Sequence, residues 1–538
     1  MLRPLFLLAC LACPTVAQTA IKEPKSYEEA LQQYEAYSKL ESFFLHSLTW
    51  ARLARSKDPR ALPLLIAEYE DTGKPKQVRR HLLASIATRT FVDDASVEPL
   101  AAWRARHDDA HDAWLWYRTL SVDARNRGPE ACLAVLRDMK APLALRGAAL
   151  EALGWCREPA GLYTAIAETA TNLPPKAEEK ALLAGAMGTA LERHRRKAET
   201  REFKAACSYF INLLDDSHEL SVSAKLVVAR ALGRILGTDE IVINTAPWIA
   251  RLGDKQARIT KADELGYVRP KFFGVEASGT RFCFVVDMSD SMCKPVDVPD
   301  EWKRGPVSGG GEVEDDGRGD IPWHLVETRF DLAREQLKLS LRGLDPDALF
   351  AVIYFGDRAE LMDTCKGMGK ASKSAIKKAI KELDDIEMKP PIPARPDGVL
   401  RGKTNLHGGL RAAFRVKKKG LLDEHSYVDP VSFREGADTI FLLSDGDPSW
   451  DDYDVRDKNV GEVHIGDPET GARSNDNGGL LHYSGPFRNV DVLIEDLERL
   501  NLFREVQIQC VTIGKDATRA TLDRIAELGH GTVTQLGN

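Results

Sequence analysis

Five oxygen-bearing side chains in the second half of the chain stand where they could hold a metal ion. Asp287, Ser289 and Ser291 form a D-x-S-x-S sequence directly after an apolar run that is typical of a β-strand. Thr404 precedes a helical segment, and Asp445 follows another apolar run. Carboxylates and hydroxyls are hard oxygen ligands of the kind that Mg2+ prefers. The spacing therefore predicts a magnesium site, with Ca2+ or Mn2+ as alternative ions.

Apolar runs that alternate with amphipathic helices predict the frame that would bring these side chains together. The runs beyond residue 279 are nearly continuous, as in parallel strands that are buried on both faces. In a doubly wound sheet of this kind, ligands bind where the carboxyl ends of the strands open out. The predicted strands are Phe282–Val286, Leu349–Phe355, Thr439–Leu443, Val506–Ile513 and Thr532–Gln535, and the predicted helices are Phe330–Leu344, Ala371–Leu383, Leu406–Lys417, Val490–Leu500 and Ala517–Leu528.

The motif resembles the metal-ion-dependent adhesion site of von Willebrand factor type A (VWA) domains. All five motif positions have a counterpart here, and further similarity in a helix and a strand extends the resemblance over residues 279–538. The resemblance implies a doubly wound, mostly parallel, Rossmann-like α/β domain. It also implies that Ser289 and Ser291 bind the metal directly, and that Thr404 binds it directly or through water. Asp287 and Asp445 would act mainly through bound water.

This ligand set favours binding over catalysis. Hydroxyls are neutral ligands, so an ion whose carboxylates stay in the outer shell keeps much of its positive charge. Such an ion gains most from an incoming carboxylate. We therefore expect a Mg2+-dependent, adhesion or scaffold type of protein-binding domain and not an enzyme. Its ligand would be an Asp or Glu of another protein, or of this chain's own helical half.

Two other functions remain open on the sequence. A metal-dependent hydrolase could use Asp287 as a phosphatase nucleophile, although Ser289 stands where that class has a second carboxylate. It could instead be a zinc peptidase with His107 and His111 as ligands, because the two are spaced i, i+4 in a predicted helix; Asp108 then replaces the usual Glu. The other function is a purely structural role of the helical half in an envelope assembly.

The first half of the chain is predicted to be a helical array over residues 26–253. Apolar residues return at three- and four-residue steps among Ala, Leu, Glu, Arg and Lys. Pro59, Pro99, Pro129 and Pro159 each open an Ala- and Leu-rich segment, at spacings of 40, 30 and 30 residues. This pattern resembles HEAT-type repeats, and an irregular helical bundle is the alternative. The periodicity fades over residues 254–278, which are predicted to be a linker.

The first residues are typical of an export signal. Arg3, an apolar run and small residues before Gln18 predict a signal peptide over residues 1–17. We therefore expect an exported protein that is periplasmic, at the cell surface or extracellular. The apolar run is far shorter than the roughly 20 residues of a membrane-spanning helix, so no transmembrane segment is predicted. A soluble exported chain is favoured over a lipid anchor on Cys10.

Composition and length limit the number of domains and the kinds of partner that we expect. A chain of 538 residues is too long for one core, and 43% apolar with 29% charged residues is ordinary for a folded multidomain protein. With 74 Lys and Arg against 81 Asp and Glu, the net charge of -7 argues against nucleic acid as a partner. Cys283 and Cys293 flank the D-x-S-x-S motif and could form a disulfide. Long loops at 294–323, 388–403 and 447–487 are expected to surround the site.

Overall fold

The computed structural model has a helical first half and a second half that is built on a mostly parallel, mixed seven-stranded sheet. The described residues are 23–39, 43–56, 58–71, 82–83, 85–86, 94–197, 200–254, 257, 271–272, 275–296, 321–388, 403–423, 426–445, 448, 490–514 and 519–536. The expected signal peptide with Cys10, and most of the three long loops, lie outside these residues. Within them, no helix has the length and apolar character that crossing a membrane requires.

The described part of the first half contains twelve helices. Those helices are α1 (Tyr27–Tyr37), α2 (Phe43–Arg55), α3 (Ala61–Glu70), α4 (Val97–Arg104), α5 (Ala113–Arg127), α6 (Glu130–Arg137), α7 (Leu143–Ala152), α8 (Ala160–Thr171), α9 (Ala177–Arg193), α10 (Arg201–Asn212), α11 (Val222–Leu236) and α12 (Thr245–Gly253). Successive contacts join α5, α7, α9 and α11, which we call the first row. Similar contacts join α8, α10 and α12 in a second row.

Local sequence explains where several of these helices begin. Thr200 and Ser221 precede α10 and α11, and the side chain of each accepts a hydrogen bond from the backbone N–H three residues on. Pro129 and Pro159 stand directly before α6 and α8, where a fixed φ favours helix entry. The predicted helix starts at these two prolines are confirmed.

The sheet places its first long strand at the centre. The strands are β1 (Lys271–Phe272), β2 (Val275–Glu276), β3 (Arg281–Asp287), β4 (Leu349–Phe355), β5 (Ala359–Leu361), β6 (Gly369–Lys370), β7 (Thr439–Leu443), β8 (Gln507–Ile513) and β9 (Val533–Leu536). The large sheet has the order β5-β4-β3-β7-β8-β9, and β6 also pairs with β4. The pairs among β4, β3, β7, β8 and β9 are parallel, whereas β5 and β6 run antiparallel to β4. β1 and β2 form a separate antiparallel pair.

Helices cover both faces of this sheet. The helices of the second half are α13 (Arg329–Arg342), α14 (Lys373–Asp384), α15 (Leu406–Arg415), α16 (Pro430–Glu435), α17 (Val490–Asn501) and α18 (Arg519–Leu528). Because side chains alternate along a strand, Phe284 of β3 packs in one core with α13, and Cys283 packs in the other with α15. Cys293 lies in the core of Phe284, and both cysteines are free. The disulfide that the sequence left open is therefore absent.

The predicted elements of the second half are present, and their bounds shift by at most two residues. The sequence missed β5, β6 and α16, and it assigned the β1–β2 pair to a linker. Phe272 of β1 is buried against Phe284 and Phe441, with ring centroids 5.7 and 5.5 Å away. Phe272 and Ala277 therefore belong to the core on one face of the sheet. The four strands that the sequence did not predict, β1, β2, β5 and β6, are only two or three residues long. They are too short to show a hydrophobic period.

The two halves meet where the first row of helices contacts the amino ends of the sheet strands. The carbonyl of Asp438, just before β7, accepts a 2.8 Å hydrogen bond from Arg230. Glu505, just before β8, accepts hydrogen bonds from Arg234 at 2.6 Å and from Thr189 at 2.5 Å. One apolar core runs through both halves. The sequence alone could not show this contact.

A turn after α17 fits closely against the same row. Phe503 and Glu505 have positive φ angles of 64° and 50°, which side chains rarely adopt, and Phe503 is almost fully buried. Gly185 of α9 faces this turn, because a Cβ added at Gly185 would lie 1.9 Å from the Phe503 carbonyl oxygen. The close approach of helix and turn therefore requires glycine at this position.

Gly185→Ala should destabilise the chain. The added methyl group would force helix and turn apart, and overpacking of this kind costs about 1–3 kcal/mol of the free energy of unfolding. Urea denaturation followed by circular dichroism measures the loss. Gly253→Ala is the matched control, because a Cβ there meets no atom within 4 Å. If both variants unfold at the urea concentration of the wild type, the close contact is wrong.

Candidate metal centre

The topology of the sheet sets two aspartates side by side. Asp287 is the last residue of β3, and Asp445 follows β7 by two residues. The chain passes from β3 to β4 on one side and returns to β7 on the other. Such a switch in strand order opens a crevice at the carboxyl ends of the two central strands. Both aspartates stand at that crevice, as the sequence predicted.

Hydrogen bonds join four of the five predicted residues in one cluster. The backbone N–H of Ser289 donates to Asp287 Oδ1 at 2.7 Å. The hydroxyl oxygens of Ser289 and Ser291 lie 2.9 Å apart, and Ser291 donates to Asp445 Oδ1 at 2.6 Å. The turn after β3 thus gathers two hydroxyls and two carboxylates, although 154 residues separate Ser291 from Asp445.

Thr404 is held beside this cluster through the backbone. The N–H of Met288 donates to the carbonyl of Phe355, and the N–H of Asn405 donates to the carbonyl of Gly356, both at 2.7 Å. Consecutive carbonyls at the end of β4 therefore anchor the loop of Asp287 and the loop of Thr404. Thr404 itself is fully buried.

Asn405 fixes the helix that follows Thr404. Its side-chain oxygen accepts a 2.7 Å hydrogen bond from the N–H of Gly408, and its amide donates to the carbonyl of Asp357 at 3.1 Å. Asn405 is thus the N-cap of α15. The cap holds the preceding residue at the carboxyl end of β4.

The two carboxylates of the cluster face each other away from solvent. Asp287 is fully buried, and the Asp445 side chain has 0% exposure. Burial, and after it the nearby charge of Asp445, together raise the pKa of Asp287 to about 8, although hydrogen bonds from Ser289 and Ser444 act in the opposite direction. The donor set consists of oxygen alone and carries concentrated negative charge, so these residues fit a hard divalent cation.

Two further residues belong to the cluster, and the sequence reading did not assign them. Ser444 donates its hydroxyl hydrogen to Asp287 Oδ2 at 2.6 Å. Arg329, the first residue of α13, forms a buried ion pair with Asp445 Oδ2. Ser444 is the neighbour of Asp445 in the sequence, so its hydroxyl could have been predicted to lie near the site. Only the fold brings Arg329 to the same place.

The structure does not support the predicted zinc ligands, because His107 and His111 do not lie on one helix. His107 lies in a non-helical stretch after α4, and His111 lies in a 3-10 turn at Ala110–Asp112, so the prediction of one shared helical face is wrong. The ring of His107 instead contacts that of Trp103, with centroids 4.8 Å apart. In the described ranges, no three or more His, Cys, Asp or Glu side chains are grouped to hold a metal ion. That finding does not cover sites built on hydroxyls.

Comparison of the chain with protein-family models and with curated proteins found no match.

Asp287→Asn should change how stability depends on pH in metal-free buffer with chelator. The pKa of Asp287 is raised in the folded chain, so the folded state holds a proton that the unfolded state releases. Stability should therefore fall as pH rises from about 4 to about 8, by an amount on the order of a few kcal/mol. The Asn variant should lack this component of the decline. Urea denaturation across that pH range gives the measurement.

Asp290→Asn is the control for this experiment, because Asp290 is an exposed neighbour in the same turn. The control should keep the wild-type pH profile. Identical profiles for wild type and Asp287→Asn would contradict the raised pKa of Asp287 in the folded chain.

Proposed function

We propose that this chain is an exported, Mg2+-dependent binding protein with a VWA-type domain, which recognises an acidic side chain of another protein. The observation that carries the proposal is the hydrogen-bonded cluster of Asp287, Ser289, Ser291 and Asp445 at the strand switch point. The two carboxylates are buried together and supply the negative charge that a divalent cation needs.

The arrangement of donors supports hydroxyls as the direct ligands. Ser289 and Ser291 would hold the ion directly, and Thr404 directly or through water. Both oxygens of Asp287 already accept hydrogen bonds, from the N–H of Ser289 and from the hydroxyl of Ser444. These bonds fix the carboxylate behind the serines and favour its action through water. When bound, the ion supplies a positive charge and a coordination position for an incoming carboxylate.

The same hydrogen bonds weigh against the phosphatase alternative. A nucleophilic carboxylate must present a free oxygen to its substrate. Asp287 is fully buried, and its oxygens are engaged by Ser289 and Ser444. Ser289, not an acidic residue, occupies the place of the second carboxylate that this chemistry uses. We therefore favour binding without turnover.

The position of the helical half supports a partner outside the chain. Arg230 and Arg234 of α11 contact residues at the amino ends of β7 and β8. The cluster lies at the carboxyl ends, about 20 Å away for a strand of seven residues. These two arginine contacts are thus at the end of the sheet opposite the site. A ligand from another molecule suits this geometry better than one from the helical half.

We further propose that the helical half is a HEAT-like scaffold. Support comes from its two rows of helices and from helix starts at Pro129 and Pro159. All the described hydrogen bonds and ion pairs between the rows and the sheet amino ends come from the first row, for example from Thr189 of α9 and Arg234 of α11. This scaffold would hold the sheet at the amino ends of its strands and leave the carboxyl ends accessible to a partner.

Ser291→Ala should weaken Mg2+ binding by at least about ten-fold, because it removes a direct ligand that also bridges Ser289 to Asp445. Isothermal titration calorimetry of the full chain with Mg2+ measures the affinity and the stoichiometry, which we expect to be about one ion per chain. Ser208→Ala, on the exposed face of α10, is the matched control and should bind as the wild type does.

Affinity capture from an exported fraction extends this test to the ligand. Proteins retained in Mg2+ should be released by chelator, and Ser291→Ala should retain them poorly. A wild-type chain that shows no heat of Mg2+ binding, or that captures the same proteins with chelator present, would contradict the proposed function.

A further inference from the structure

The candidate metal centre contains a buried cationic side chain, that of Arg329. The guanidinium of Arg329 pairs with Asp445 Oδ2, and the two side chains have 7% and 0% exposure. The other oxygen of Asp445 accepts the hydroxyl hydrogen of Ser291. Asp445 therefore lies between a permanent positive charge and a proposed metal ligand.

The position of Arg329 is unfavourable for its own helix. It is the first residue of α13, where the helix dipole repels a cation. Burying a guanidinium also costs free energy unless a carboxylate compensates for it. Helix stability therefore does not explain an arginine here, and the pairing with Asp445 does.

The surrounding backbone is shaped to hold this guanidinium. Thr328 and Asp331 form a capping box that fixes the start of α13, and the N–H of Arg329 donates to the carbonyl of Lys294 at 3.0 Å. Gly514, after β8, has a φ of 104°, and a Cβ added there would lie 2.5 Å from the Arg329 guanidinium. Three separate segments thus enclose Arg329.

The charge count of the cluster shows what this arginine changes. Asp287 and Asp445, when both are ionised, are partly balanced by Arg329 and leave a formal charge of minus one before any ion binds. A bound Mg2+ would make the total plus one, whereas a cluster without the arginine would become neutral. The extra charge opposes the metal and attracts an anionic ligand.

We propose that Arg329 is a positioning and selectivity residue of this centre. It keeps Asp445 in place behind Ser291, lowers the affinity for Mg2+ alone, and makes the loaded centre prefer a carboxylate over a neutral amide. This inference rests on the proposed function and names the regulation of the same site. A merely structural arginine would not produce opposite effects on metal and ligand.

The test compares two affinities in the full chain. In Arg329→Gln, Mg2+ alone should bind about five- to ten-fold more tightly by calorimetry, because a nearby positive charge is lost. At saturating Mg2+, a blocked Gly-Asp-Gly peptide should bind about ten-fold more weakly in a ligand-observed NMR titration. Its preference over a blocked Gly-Asn-Gly peptide should shrink. Arg329→Lys keeps the charge and should retain wild-type values.

Arg342→Gln is the matched control, since it removes the same charge from the exposed far end of α13, about 20 Å away. It should leave both affinities unchanged. Weaker or unchanged Mg2+ binding by a folded Arg329→Gln would overturn the role of Arg329. If Arg329→Gln does not fold, Arg329→Lys decides: loss of Mg2+ affinity or of the Asp preference overturns the inference, and wild-type values support it. A wild-type chain that binds no Mg2+ refutes the proposed function itself.

Discussion

The burial of two neighbouring carboxyl groups is the constraint on which the centre of this molecule depends. Asp287 and Asp445 are placed together by the order of β3 and β7, and neither side chain is in contact with solvent. An arrangement of this kind is stable only when donors and cations surround it. The hydroxyls of Ser291 and Ser444 and the guanidinium of Arg329 supply part of that compensation.

Local patterns were sufficient for the frame of the second half. Continuous apolar runs such as Leu349–Phe355 and Thr439–Leu443 specify strands buried on both faces, and the structure has those bounds. Short elements carry no such pattern, which is why the sequence predicts a linker where the strand Lys271–Phe272 lies. The D-x-S-x-S motif located the cluster because a strand end fixes where its next residues point.

Contacts between segments that are distant in the sequence could not be predicted from local patterns. Arg329 is one of many charged residues at helix starts, and only the neighbouring Gly514 and Asp445 give it a role. The junction of the two halves is similar. Phe503 and Glu505 adopt left-handed backbone conformations, which their residue types do not predict. Tertiary packing against Gly185 stabilises this turn, so no local rule could have predicted it.

The docking of Phe503 beside Gly185 has a consequence for biosynthesis. The helix surface around Gly185 is synthesised early, whereas the turn that covers it follows 318 residues later in the chain. At ribosomal rates of about 5–20 residues per second, this surface would stay uncovered for roughly 15–60 s. During this interval the apolar side chains that later pack against Phe503, such as Leu182, would lack that cover. A chaperone that shields unfinished polypeptides would have its natural target there, before the last strands of the sheet exist.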